Sequence, residues 1–319
     1  MKRHHLALIG ADDLSGALAH LAIIQKLGDI TLFDEDEQKA KAKALDLAQT
    51  AAIHAVDINV TGTNNPSVLQ SADVVIVAVS WHRDHATNQA QLVERNTPAI
   101  NSVADLIAEH CCNAFIINLT NPVDSMTHLL QSHSKLAAHK IVGMGCTLDM
   151  ARLQYLLARE FDVSVKQVQP YIIGAHGHTI VLLTNMTYVA GISLDQLVEE
   201  GRIGQERLDE LIERTQQGAN EIIYQDSSPL YAPAGVVLEI AESYLYDRRM
   251  IIPCSTQLNP GMYNIDTQLF MGVPCRITGQ GVKTLEIDLT DTQKTSFQQA
   301  IDAVKKMNLE TDHYRTPLF

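Results

Sequence analysis

The chain has 319 residues, 46% of them hydrophobic and 19% charged, so it carries enough apolar material to bury a core and is not a disordered composition. Its 24 Lys plus Arg stand against 37 Asp plus Glu, a net charge of −13, which disfavours nucleic acid as a partner because an acidic surface repels phosphate backbones. No apolar run approaches the ~20 residues that span a bilayer, the stretch 6–9 is too short for a signal-peptide core, and five cysteines without a C-x-x-C pair read as thiols of a reducing cytoplasm rather than a zinc site. In chain order, HLALI (5–9) predicts a strand, 13–27 a helix, 30–33 a strand and 36–50 a helix, followed by β-branched runs at 57–60, 74–79, 114–119 and 141–142. Such alternation predicts a parallel sheet with helices on both faces. After about residue 149 the rhythm changes. A helix at 150–161 leads to strand-like segments at 168–173 and 180–183, then to a helical stretch over 194–224 interrupted at Gly201 and Gly204. A helix at 234–246, strand-like pieces at 250–253, 275–278 and 285–289, and a closing helix at 291–307 complete the chain. The expectation is an α/β protein of two domains, 1–147 and 148–319. The first is a Rossmann-type doubly wound parallel sheet and the second an α+β domain.

The first strand runs into Gly10-Ala11-Asp12-Asp13-Leu14-Ser15-Gly16 and then a helix. A strand, a glycine turn and a helix N-terminus form the setting that binds a pyrophosphate. The next strand ends at Asp34, where a carboxylate can accept hydrogen bonds from the adenosine ribose hydroxyls, a feature that favours NAD over NADP. The pattern G-x-G-x-x-G falls on Gly10, Asp12 and Ser15. Ser15 is small enough for helix–strand packing, whereas Asp12 adds a Cβ and a negative charge where the backbone approaches the pyrophosphate. Two readings stand at this point: an NAD-binding turn built from Gly10, Ala11, Asp12, Leu14 and Ser15, or a Rossmann-like turn that binds no nucleotide.

Three further segments combine into one chemistry. Leu119-Thr120-Asn121-Pro122 follows an apolar strand and leaves Asn121 at its carboxyl edge, where ligands bind in open α/β sheets. Leu148-Asp149-Met150-Ala151-Arg152 opens a helix, with Asp149 and Arg152 on one face. Gly174-Ala175-His176-Gly177-His178 follows a strand. Reducing a ketone by hydride transfer needs a proton donor for the new alkoxide, which a histidine backed by a carboxylate supplies near neutral pH. It also needs a planar cation to clamp a substrate carboxylate, the geometry of arginine. Taken singly, His176 is a hydrogen-bonded structural histidine and Asp149–Arg152 a surface pair. Taken together behind an Asn-Pro corner, they point to catalysis.

With these segments the chain resembles the malate/lactate dehydrogenase family, and within it the lactate-dehydrogenase-like malate dehydrogenases, over nearly its whole length. Lys43-Ala44-Leu45-Asp46-Leu47, Val60-Thr61-Gly62-Thr63-Asn64, Val142-Gly143-Met144 and Tyr231-Ala232-Pro233-Ala234 add to the likeness. The resemblance implies His176 as acid/base oriented by Asp149, Arg152 on the C1 carboxylate, Asn121 on the substrate carbonyl and nicotinamide, Asp34 on the adenosine ribose, and Leu119 and Asn96 as further cofactor contacts. It implies NAD as cofactor, a dicarboxylate or 2-oxo acid as substrate, and a homodimer or homotetramer burying helices near 17–27 and 234–246.

Within the resemblance, 79–91 corresponds to the loop that closes over the substrate. Arg83 matches the arginine that binds the second carboxylate of malate, and Gln89 stands where a second arginine polarises the ketone. Ser80 and His178 replace a glycine and an aspartate of the family, and Trp81, His82 and His85 are new to the loop. Two functional expectations follow. One is an NAD-dependent malate or related 2-hydroxyacid dehydrogenase. The other is a homologue impaired in cofactor binding and catalysis by Asp12 and Gln89.

Overall fold

The computed structural model describes residues 3–79, 88–111, 113–177, 179–225 and 228–314. Its first half contains β1 (His5–Ile9), α1 (Asp13–Ile24), β2 (Asp29–Phe33), α2 (Glu37–Ile53), β3 (Val60–Thr63), β4 (Val74–Val77), α3 (Gln89–His110), β5 (Phe115–Asn118), α4 (Val123–Ser134) and β6 (Ile141–Gly143). The six strands are parallel in the order β3-β2-β1-β4-β5-β6, a doubly wound sheet whose order reverses between β1 and β4. Alternating residues explain why both faces need cover. Leu6, Leu8, Ile30, Leu32, Val74 and Ile76 face α1 and α2, while Ala7, Ile9, Val75, Val77 and Ile116 face α3 and α4. Strands buried on both sides read as unbroken apolar runs, which is how they are visible in the sequence.

The second half contains α5 (Thr147–Glu160), β7 (Val168–Gln169), β8 (Ile172–Ala175), β9 (Thr179–Leu182), β10 (Tyr188–Val189), β11 (Ile192–Ser193), α6 (Leu194–Glu199), α7 (Gln205–Tyr224), α8 (Tyr231–Leu245), β12 (Met250–Leu258), β13 (Leu269–Thr278), β14 (Gly281–Thr284) and α9 (Asp291–His313). Here the strands are antiparallel, as expected of an α+β unit; β7, β10 and β11 form a small sheet of their own, while the others continue the first sheet, β12 joining β6 through Ser255 and Gly143, with β13, β8 and β9 following. The join is tight. Gly145 has φ +61°, and a Cβ there would lie 2.4 Å from the backbone nitrogen of Ser255. Strand direction therefore changes at the glycine turn between β6 and α5, the segment where the sequence rhythm changes.

Three local expectations are corrected. The strand expected at 57–60 lies at Val60–Thr63, because this edge strand is half-exposed and its Thr-Gly-Thr carries no apolar signal. The segment 168–173 is two strands in different sheets, parted at Pro170. At 285–289 there is no strand: the return strand is Gly281–Thr284, and Ile287 and Leu289 enter the core from irregular backbone. Helices α1 and α8 share one intramolecular core through Leu18, Ala19, Ala22, Ala234, Val237 and Ala241.

Candidate active site

The carboxyl ends of β1, β2 and β5, together with the loop after β8, carry the residues singled out above. This is the edge of an open sheet at which crossovers leave a crevice. His176 follows β8 in a turn completed by Gly177 at φ +89°. Its Nδ1 lies 2.7 Å from Oδ2 of Asp149, a residue with no exposed surface in the first turn of α5. The partial positive charge of a helix N-terminus favours an ionised carboxylate at that position. The other oxygen of the same carboxylate accepts from Nη1 of Arg152, 3.3 Å away and one turn along. Asp149 is thus shared between imidazole and guanidinium. Burial pulls the pKa of Arg152 down from its usual value, and the carboxylates of Asp149 and Glu221 oppose that pull. Next to arginine's intrinsic value, the group stays charged.

A third carboxylate, which the sequence reading missed, also meets His176. Asp124, in the first turn of α4, accepts the backbone N–H of His176 at Oδ2, 3.2 Å away. Burial raises its pKa to about 6, against the lowering effects of the Ser255 hydroxyl and of His176. The signal that could have found it is the run Asn121-Pro122-Val123-Asp124, in which the corner residue and the carboxylate are bound to move together.

The Asn121–Pro122 peptide is cis. Its corner is held from three sides: Asn96 Nδ2 donates to the Asn121 carbonyl at 2.7 Å, Asn118 Nδ2 to Thr127 Oγ1 at 3.0 Å, and the Thr120 backbone N–H to Asn118 Oδ1 at 3.1 Å. Asn96, taken from the sequence as a cofactor contact, is buried inside the protein and reaches the site through this corner. Leu119 is buried at the end of β5.

At the other end of the crevice, Gly10 takes φ +101°, and a Cβ there would crowd the Ala78 carbonyl at 3.3 Å. The Ala11 backbone N–H donates to Asp34 Oδ2 at 2.8 Å. Burial of Asp34 acts to raise its pKa, but hydrogen bonds from the Asp36 and Ala11 backbones and from Lys39 outweigh it, and the net shift is downward. Asp34 is therefore an anion and still partly exposed, as a ribose acceptor must be. Leu14 is half-buried and Ser15 fully buried in α1. The backbone conflict expected at Asp12 is relieved. Asp12 has φ −82°, ordinary extended backbone, and serves as N-cap of α1, its Oδ1 accepting from the Ser15 N–H at 2.9 Å. Lys43 of α2 places its ammonium 2.7 Å from the Asp12 carbonyl oxygen and 3.1 Å from Asp13 Oδ1, supplying positive charge at the turn. A glycine-only conformation is needed at Gly10 and not at Asp12. The turn, the helix N-terminus, Lys43 and the carboxylate of Asp34 fit a dinucleotide.

Gln89 is described: it opens α3 behind the Asn88–Gln91 capping box, with its Oε1 buried. Arg83, Ser80, Trp81, His82, His85 and His178 lie outside the described residues. Among the described residues, no cluster of His, Cys, Asp and Glu is arranged to hold a metal, and no helix is long and apolar enough to cross a membrane.

Residues 4–143 match the family model for the lactate/malate dehydrogenase NAD binding domain, and 146–313 that for the lactate/malate dehydrogenase alpha/beta C-terminal domain. A malate dehydrogenase of Francisella tularensis subsp. novicida (strain U112) is 44% identical over 310 residues, 97% of either chain. Among solved structures, malate dehydrogenase of Cryptosporidium parvum superposes with a TM-score of 0.93 at 32% identity, covering 98% of this chain and 99% of that one. Lactate dehydrogenase of the same organism, solved with lactic acid and nicotinamide adenine dinucleotide, gives a TM-score of 0.93 at 31% identity, again over 98% and 99%. These likenesses lend no support to the reading of an impaired homologue. Through the two domain matches, the full-length relatives and the shared fold, the chain belongs to the lactate/malate dehydrogenase family.

Proposed function

We propose that the protein is an NAD-dependent dehydrogenase interconverting L-malate and oxaloacetate. One observation carries the reading: a single buried carboxylate, Asp149, holds the imidazole of His176 at 2.7 Å and the guanidinium of Arg152 at 3.3 Å. An ionised carboxylate can only accept, so His176 donates its Nδ1–H to Asp149, and Nε2 is the atom that carries the mobile proton. In ketone reduction Nε2 delivers a proton to the carbonyl oxygen, and in alcohol oxidation it takes one. Asp149 fixes the tautomer and stabilises the imidazolium. A proton donor placed in this way is worth about 10²- to 10⁴-fold in rate. Arg152 offers two parallel N–H groups to the C1 carboxylate, fixing the reacting carbon relative to His176. Asn121, at the corner, contributes an amide to the carbonyl and nicotinamide. NAD, held by Gly10, Ala11, the N-terminus of α1 and Asp34, supplies the two-electron chemistry when bound.

Selection of malate over lactate is assigned to Arg83 as clamp for the second carboxylate, with Gln89 donating a neutral hydrogen bond to the carbonyl. The curated relatives, named malate dehydrogenases, support the dicarboxylate. The structural likeness to lactate dehydrogenases makes a monocarboxylic 2-oxo acid the second reading. Purified protein given NADH and a panel of 2-oxo acids decides the matter. Turnover is expected with oxaloacetate, well above that with pyruvate. No turnover with any of them would overturn the assignment.

The same reading divides the chain into a dinucleotide-binding domain, 1–147, and a substrate domain, 148–319, supported by the change of strand direction at Gly145. It also takes the protein as a cytoplasmic homodimer or homotetramer. The apolar side chains left exposed on α1 and α2 (Ile24, Leu45 and Ile53) support association, and light scattering on the purified protein gives the number of subunits.

A further inference from the structure

Arg152 is confined from two directions. On one side Asp149 Oδ1 accepts from its Nη1 at 3.3 Å. On the other, helix α7 comes against it at Gly218. A Cβ built on Gly218 would stand 2.8 Å from Arg152 Cδ, 2.9 Å from Nε and 3.4 Å from Cζ, and these are the three atoms nearest to it. Carbon atoms in favourable contact sit about 3.5–4.0 Å apart. A methyl group at 218 and the present course of the Arg152 side chain cannot share the space.

Nothing else accounts for a glycine there. Gly218 lies inside α7, and glycine in a helix interior is less favourable than alanine. Its φ is not among the positive values found at other glycines, so the backbone does not require it. Close approach of helix backbones does not require it either, since all three neighbours of the missing Cβ belong to one side chain. Glu221, three residues on and therefore on the same face of α7, acts electrostatically on Arg152 and adds to the charge that keeps the guanidinium there.

We propose that Gly218 is a positioning residue for substrate: by having no side chain it fixes where the Arg152 guanidinium stands, and through it the affinity for the C1 carboxylate of the 2-oxo acid. The proposal rests on the dehydrogenase reading above. A methyl group at 218 would displace the end of a flexible side chain rather than backbone, so the fold absorbs it and the clamp moves. Bidentate recognition of a carboxylate depends on alignment, and a shift of about 1 Å in a positioning group can cost about 100-fold.

The test compares Gly218→Ala and Gly218→Ser with the wild-type protein in melting temperature, NADH affinity, and kcat and KM for oxaloacetate. A residue with a purely structural role predicts a melting temperature raised by the better helix former and unchanged kinetics. The proposal predicts that Gly218→Ala melts at or above the wild-type temperature and binds NADH equally well, with KM for oxaloacetate raised tenfold or more. Gly218→Ser should show at least as large a rise. A stable Gly218→Ala protein with wild-type KM overturns it. If wild type and variant both lack turnover, the dehydrogenase reading fails separately, and calorimetric titration of oxaloacetate into each protein decides Gly218. Binding to wild type that weakens tenfold in the variant supports the proposal, and equal binding or none to either protein overturns it.

Discussion

The backbone N–H of His176 donates to Oδ2 of Asp124 across 3.2 Å, so the residue assigned to proton transfer is gripped by its main chain as well as by its ring. The grip comes from α4, directly after the Asn121–Pro122 corner. The corner and His176 are thereby locked into one unit.

That contact has a cost that depends on pH. Burial raises the pKa of Asp124 from 3.8 in the free side chain to about 6. The folded protein holds a proton here that the unfolded chain releases between those two values. Asp124 therefore favours folding most below pH ~4, and this contribution is lost as pH rises through about 6. At neutral pH the ionised group opposes folding by on the order of 3 kcal/mol, since a tenfold change in proton affinity corresponds to about 1.4 kcal/mol. Asp124→Asn keeps an oxygen for the His176 N–H and removes the charge. We expect the variant to gain stability relative to wild type at pH 7.5 and to lose that advantage at pH 4.5, read as melting temperature against pH. A gap that widens on acidification would contradict the assignment.

The two residues that share the 2.7 Å contact should fail differently. His176→Gln removes the proton carrier and leaves Asp149 on Arg152. We expect kcat to fall about 10²- to 10⁴-fold with NADH affinity unchanged. Asp149→Asn disturbs both partners, because an amide can no longer hold the imidazolium or counter the burial of Arg152. Here kcat should fall by at least about 100-fold and KM for oxaloacetate should rise as well. Steady-state kinetics on the two variants separate these patterns.

Asp12 offers a cleaner test of cofactor electrostatics than its removal would. Asn caps a helix about as well as Asp, so Asp12→Asn preserves the bond to the Ser15 N–H while deleting the charge. We expect a melting temperature within a few degrees of wild type. NADH should bind several-fold more tightly at low salt, and the gain should shrink as salt screens the turn. Fluorescence titration of NADH at two ionic strengths gives the answer. An affinity equal to wild type would mean that Lys43 already cancels the charge of Asp12.

The sequence made β1, β2 and β4 to β6 legible because strands buried on both faces cannot hide their apolar runs. Asp149, Arg152 and His176 were legible as a set because proton transfer and carboxylate binding demand those side chains. Helix α3 was not anticipated: it begins beside the loop, carries Pro98 within it, and has Gln89 where an arginine was sought. Asp124 and Gly218 escaped for another reason. Asp124 is marked locally only by following the Asn121-Pro122 corner, while the N–H it grips lies 52 positions on, and a glycine that makes room for an arginine 66 positions earlier has a meaning only in three dimensions. Asp12 stands out in the sequence as a departure, but its effect is set by two facts outside the local sequence, its extended φ and the arrival of Lys43 from α2.

The guanidinium itself can be separated from its charge. Arg152→Lys keeps a cation beside Asp149 and gives up the planar pair of N–H groups. Its methylene chain still runs past Gly218, because lysine places Cδ and Cε where arginine has Cδ and Nε, 2.8 Å and 2.9 Å from the position of a missing Cβ. If Arg152 acts only as a counter-ion to Asp149, the lysine variant should retain most of its activity. If it clamps the C1 carboxylate in two places, KM for oxaloacetate should rise by about 100-fold or more, because one point charge cannot fix the orientation of a carboxylate. NADH affinity should be unaffected in either case, since Arg152 lies on α5 and the dinucleotide turn on β1 and α1. Adding Gly218→Ala to Arg152→Lys should then cost much less than it does in the wild-type background, because the planar pair of N–H groups whose alignment it disturbs has already been given up. Equal effects of Gly218→Ala in the two backgrounds would show that the glycine and the clamp act independently.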